Sequence, residues 1–185
     1  MAETLSHDPQ TLSAWRPPHL LGMHRQDLLE LFGQLPAPAD GELDGEYSGY
    51  DYLGHTREGW DAGWARAEAG QGTWWLGKAF HGDEGYNRIL NANGSTTRMM
   101  RFGVRPGESL IDGKPALLLV YGDFDNPTGR EGLVDEVRRI NDDLYVAACT
   151  FPAENGQRSE PSIIVLSGPA QPWVGVDDPR AEARL

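Results

Sequence analysis

The chain has 185 residues, 39% hydrophobic and 24% charged, with 23 glycines and 13 prolines; that length supports one filled core, and the turn-forming residues suit many short strands. A formal charge of −12, with the 16 Lys and Arg scattered rather than striped, leaves no basic surface to displace counterions from phosphate, so nucleic acid and anionic membrane are not expected partners. The single cysteine, Cys149, cannot form an internal disulfide, and no Cys pair or His-x-x-x-His sets a ligand spacing, so no metal or other cofactor is expected.

Residues 1–22 read as a tail, in which Trp15 and Pro17-Pro18 stand among polar residues. No basic segment followed by an apolar one opens the chain, and the longest apolar run, Ala116 to Tyr121, is too short to span a bilayer. A cytoplasmic protein without a membrane span is expected. Leu28, Leu29, Leu31 and Phe32 fall near helical spacing and Gly33 and Pro36 follow, which predicts a short N-terminal helix over Met23 to Phe32. Leu43 to Leu53 reads as a strand with Gly45, Tyr47, Gly49 and Asp51 on one face and Glu46, Ser48, Tyr50 and Tyr52 on the other. Glu58 to Ala69 returns to helical character, with Trp60 and Trp64 four apart, and suggests a short lid helix.

Six further strands are predicted: Thr73 to Phe80, Thr97 to Val104, Ala116 to Gly122, Val134 to Ile140, Leu144 to Thr150 and Ser162 to Ser167. Pro106-Gly107, Asp112-Gly113 and Asn141-Asp142-Asp143 mark turns between them. Seven strands with no helices alternating between them argue against a parallel α/β sheet and for a sandwich or barrel. The expected fold is mostly β, a small antiparallel barrel over residues 23–176, and 177–185 form a charged C-terminal tail.

Three blocks occur in order: Gly45-Glu46-Tyr47-Ser48-Gly49, of the form G-x-aromatic-x-G; Trp75-Leu76-Gly77-Lys78-Ala79-Phe80; and Asp135 to Asp143, which carries Arg138-Arg139. Together they resemble the GXWXG-domain family with the uncharacterised domain that usually follows it, over about residues 41 to 167. Tyr47 stands where that family has Trp. The resemblance implies a lipocalin-like barrel and no settled activity.

Alternation along Thr73 to Phe80 puts Trp74, Leu76, Lys78 and Phe80 on one face and Trp75, Gly77 and Ala79 on the other. If the Lys78 face is inward, its ammonium needs a carboxylate or a ligand anion. In Val134 to Ile140, one face carries Glu136 and Arg138 and the other Asp135 and Arg139, so the arginines either close structural ion pairs or offer a fork to a ligand carboxylate or enolate. Of the histidines, His55 and His81 are placed for chemistry, His81 at a barrel rim where a general base could meet a ligand. Cys149, among small and apolar neighbours, reads as a buried small hydrophobe.

A barrel of about this strand number encloses one small ligand. The expected function is therefore binding of a small, largely apolar molecule, a lipid-like or aromatic metabolite. Its walls would come from Tyr47, Trp74 or Trp75, and Tyr121, and its polar contacts from Lys78, Arg138 and Arg139. The alternative is a cofactor-independent enzyme, such as an isomerase or cyclase, in which His81, a Tyr or an Asp moves a proton in the same cavity. A third reading is an oligomeric module, in the simplest case a homodimer, that uses exposed aromatics.

Overall fold

A computed structural model describes residues 9–51, 69, 72–126, 132–178 and 183–185. The strands are β1 (Gly45–Asp51), β2 (Trp74–His81), β3 (Glu84–Leu90), β4 (Thr96–Glu108), β5 (Pro115–Val120), β6 (Val134–Asn141), β7 (Leu144–Thr150) and β8 (Ser162–Gln171). Each pairs antiparallel with its neighbour in sequence, and β8 returns to β1, so the ring closes without an edge. The result is a lipocalin-like barrel.

Period-2 alternation supplies the interior: Tyr47, Phe80, Phe102, Leu119, Val137, Tyr145 and Leu166 converge inside. β7 and β8 read as nearly continuous apolar runs because they are buried on both faces. Their outer residues Val146, Ala148, Ile163 and Val165 meet Leu20, Leu28, Leu31 and Phe32 from α2 (Pro17–Leu21) and α3 (Arg25–Phe32). The helices thus form a second core outside the barrel wall.

Several expectations change. There are eight strands rather than seven, because Gly82-Asp83 makes a two-residue turn that sends the chain back as β3. Pro106-Gly107 lies within β4 and is not a turn; beyond Gly103, β3 no longer flanks β4, and a proline is tolerated there. Part of the expected N-terminal tail is helical, as α1 (Pro9–Leu12) and α2, and Leu20 is fully buried. At the other end Leu185 donates its N–H to the Asp123 carbonyl at 3.0 Å, and Arg184 pairs with Asp83 at 2.9 Å. The predicted lid helix over Glu58 to Ala69, and His55, lie outside the described residues except for Ala69. Among the described residues no helix is long and apolar enough to cross a membrane.

Candidate ligand site

The barrel interior is divided. At one end Tyr47 meets Phe80 and Tyr145 edge-on, with ring centroids 5.4 and 5.9 Å apart, and Phe80 meets Phe102 at 5.7 Å. These rings fill that half. Toward the other end, where β1 finishes and β2 starts, lies a cavity of about 230 Å³ whose wall includes Trp75, Ile89, Met100, Tyr121, Cys149 and Ile164.

At its base is a buried ion pair. Lys78 Nζ stands 2.7 Å from Asp135 Oδ2, with side chains 3% and 2% exposed. The ammonium also donates to Tyr121 OH at 2.5 Å and to Asn87 Oδ1 at 3.1 Å. Asn87 in turn accepts from Trp75 Nε1 at 2.9 Å and donates to Tyr121 OH at 2.8 Å and the Met100 carbonyl at 3.1 Å. Tyr121 completes the set by donating to Asp135 Oδ2 at 3.2 Å. Burial alone would pull the Lys78 pKa down, but the Asp135 carboxylate reverses this and holds it above the ordinary lysine value. Burial, reinforced by the same carboxylate, pushes the Tyr121 phenol up. Burial likewise raises the Cys149 thiol well above its usual range, which makes it a poor nucleophile.

Two irregularities shape this end. A bulge in β2 between Trp75 and Gly77 shifts the alternation, so Trp75 joins Lys78 on the inner face, contrary to the simple period-2 reading. Gly77 has φ +135, and a Cβ there would lie 2.6 Å from Gly49 N. A second bulge, in β4 opposite Gly85 and Asn87, puts Met100 at φ +57. A left-handed non-glycine residue costs roughly 1–2 kcal/mol. In exchange, the Met100 carbonyl reaches Asn87 while its side chain enters the cavity wall.

Of the residues singled out from sequence, Trp75, Lys78 and Tyr121 come together at the cavity. Tyr47 belongs to the aromatic stack of the filled half. Trp74 sits next to Trp75 on β2 and is not part of the cavity wall. Arg138 points outward beneath α3, fully buried: it makes a two-pronged pair with Asp112 at 2.6 and 2.7 Å, donates to the Phe32 carbonyl at 2.8 Å and lies over the Phe32 ring. Arg138 is the main reason that the Asp112 carboxyl falls well below its usual range. Arg139 pairs with Glu42 at 2.8 Å and with Asp142, at the filled end. His81 is on that same rim, exposed, 3.0 Å from Asp44 Oδ1 and stacked near Trp173. Asp44 is the orienting partner that sequence alone does not supply.

Sequence reading missed Asn87, which lies on the unpredicted β3. Asp135 reads in the sequence only as a charge on an ambiguous strand, with no signal that pairs it to Lys78. A second buried carboxylate, Glu46, faces outward, 2.8 Å from Arg88 and 2.7 Å from Arg98, and takes a hydrogen bond from Tyr86 at 2.6 Å. Burial pushes its pKa up, but Arg98, Tyr86, Gln171 and Arg88 together bring it below the usual value. The segment after β8 covers this cluster, with Val174 and Gly175 N–H groups each 3.2 Å from Tyr86 OH.

A larger groove of about 590 Å³ lies outside the barrel between the N-terminal helices and the β6–β7 turn. Two of its polar side chains are already used: Arg139 on Glu42 and Asp142, and Asn141 on the Leu12 and Trp15 carbonyls. The smaller internal cavity is lined mostly by apolar side chains, and its buried Asp135 carboxylate also has the Cys149 thiol as a neighbour and weak hydrogen-bond donor. Among those residues no cluster of His, Cys, Asp or Glu could hold a metal ion.

A solved structure with a similar fold is the crystal structure of a protein from Thermomonospora curvata, at TM-score 0.51 and 19% identity, covering 78% of this chain and 87% of that one. At that identity the fold is what is shared. No family model matches the chain. No curated protein matches it either. The likeness to the GXWXG domain therefore rests only on the residues quoted for it.

Proposed function

We propose that the protein binds one small, largely apolar molecule in the internal cavity, with the Lys78–Asp135 pair as its polar floor. The observation that carries this reading is a largely apolar internal cavity, walled by Trp75, Ile89, Met100 and Ile164, that has the buried Lys78–Asp135 pair in its lining. The volume of about 230 Å³ lies above the roughly 150 Å³ that holds benzene and below the roughly 300 Å³ where drug-sized pockets begin. That suits a substituted single ring or a short chain better than a full fatty acid. The reading takes the protein as cytoplasmic, which its lone cysteine supports.

The enzyme reading, an isomerase or cyclase, uses the same cavity. Binding is favoured over it because Lys78 and Tyr121 are both shifted up, further from neutrality, where they exchange protons poorly. His81, the base suggested by sequence, is at the opposite rim.

Native mass spectrometry of protein purified from its host should show a retained small molecule that denaturing conditions release. Cys149→Phe, which fills the wall, should abolish that adduct while the barrel stays folded. Retention undiminished in Cys149→Phe would place the ligand elsewhere and defeat the proposal.

A further inference from the structure

We infer that the guest lies apolar end inward: a bare ring or alkyl end rests on the Lys78–Asp135 floor, and any polar group it carries stays at the mouth beside Asp51 and Ser162. This rests on the binding reading above and narrows it to small amphiphiles with one polar end. The floor is closed to further hydrogen bonds. Lys78 spends its three protons on Asp135 Oδ2, Asn87 Oδ1 and Tyr121 OH. Asn87 gives both amide protons to the Met100 carbonyl and Tyr121 OH, and its oxygen accepts from Trp75 and Lys78. Tyr121 OH accepts from Lys78 and Asn87 and donates to Asp135 Oδ2. Asp135 Oδ1 is itself buried, and the Cys149 thiol hydrogen-bonds the same carboxylate.

A polar group pushed to the floor would therefore give up its water and gain no partner, which is costly. A hydrocarbon end loses nothing there and packs on Trp75, Met100 and Ile164. The mouth differs. Asp51 ends β1 and Ser162 opens β8, both half-buried, and Phe151 beyond β7 joins them in the lining. Ser162 donates to the Cys149 carbonyl at 3.5 Å, which leaves its oxygen to accept, and a carboxylate such as Asp51 has acceptor sites for more than one donor. The polar end of a guest thus meets acceptors at the mouth and none at the floor.

Two alcohols of one size separate the cases: 4-methylbenzyl alcohol, polar at one end, and 4-hydroxybenzyl alcohol, polar at both, measured by isothermal calorimetry on the full chain at neutral pH. The methyl compound should bind roughly tenfold or more tighter, because its para substituent needs no partner at the floor. In its complex, nuclear Overhauser contacts should link the para-methyl group to the Tyr121 ring and the methylene beside the hydroxyl to the Phe151 ring. A preference under roughly tenfold, or the methylene against Tyr121, would overturn the orientation and leave the apolar cavity reading in place. Failure of both alcohols to bind, or binding without contact to Tyr121, would overturn both. Neither measurement needs a variant to fold.

Discussion

Lys78 Nζ and Asp135 Oδ2 meet at 2.7 Å across the barrel, one on β2 and the other on β6. Four steps around an eight-strand ring place these strands on opposite walls, so the pair ties together parts of the sheet that share no backbone ladder. Breaking it from one side leaves a buried charge uncompensated. Lys78→Met should therefore cost about 3–5 kcal/mol in urea unfolding, and adding Asp135→Leu should recover most of the loss. A double variant no more stable than Lys78→Met would mean that the two charges are not coupled as the distance implies.

Alkali should unfold the protein in a defined window. Burial pushes Tyr47 up to about 12 from an ordinary 10.0, and Tyr121, Tyr145 and Lys78 also move upward. A group whose folded pKa is raised adds stability below its unfolded pKa and loses it as pH rises through the folded value. The denaturation midpoint should stay level with respect to these groups below about pH 10 and fall between about 10 and 12. Tyr47→Phe should flatten part of that fall; a midpoint unchanged at pH 12 would contradict the burial of these groups.

Adjacent arginines should behave differently. Arg138 has no exposed side-chain surface and Arg139 is 36% exposed. Arg138→Ala strips Asp112 and the Phe32 carbonyl of their partner and should cost about 3–5 kcal/mol. Arg139→Ala, a change at the surface, should cost under about 1 kcal/mol. Equal costs in thermal unfolding would refute the distinction.

Gly49 has a packing reason. A Cβ there would stand 2.5 Å from Trp75 Cζ3 and 2.6 Å from Gly77 Cα, both closer than real Cβ contacts. Gly49→Ala should destabilise by about 1–3 kcal/mol and weaken retention of the small molecule in native mass spectrometry, since the indole it displaces is a cavity wall. Gly82→Ala, with open space around it at φ +59, meets only backbone strain and should leave that retention unchanged. Unaltered retention in Gly49→Ala would show that the Trp75 ring does not shape the site.

The barrel was legible in the sequence because most of its strands carry their own alternation and turn signals. β3 was not: Glu84-Gly85-Tyr86-Asn87-Arg88 mixes glycine and polar residues, since Asn87 faces an internal polar network and Arg88 an external one. Lys78 announced itself as a charge on an apolar strand, and its need for a carboxylate followed from burial alone. Its partner was not legible, because which residue faces it depends on closure of the ring and not on any local pattern. Trp75 was misassigned by one bulge, an irregularity that period-2 reading cannot anticipate. The N-terminal segment looked like a tail because its helices are short; what holds them is the outer face of β7 and β8, a tertiary contact.

The unbroken ladder of eight strands also bears on traffic. Among the described residues, with Tyr47, Phe80 and Tyr145 corking one end, the axial route open to a guest of the proposed kind runs past Asp51 and Phe151. Under the binding reading, substitutions at that doorway should change residence time without touching the residues that set which guest is held.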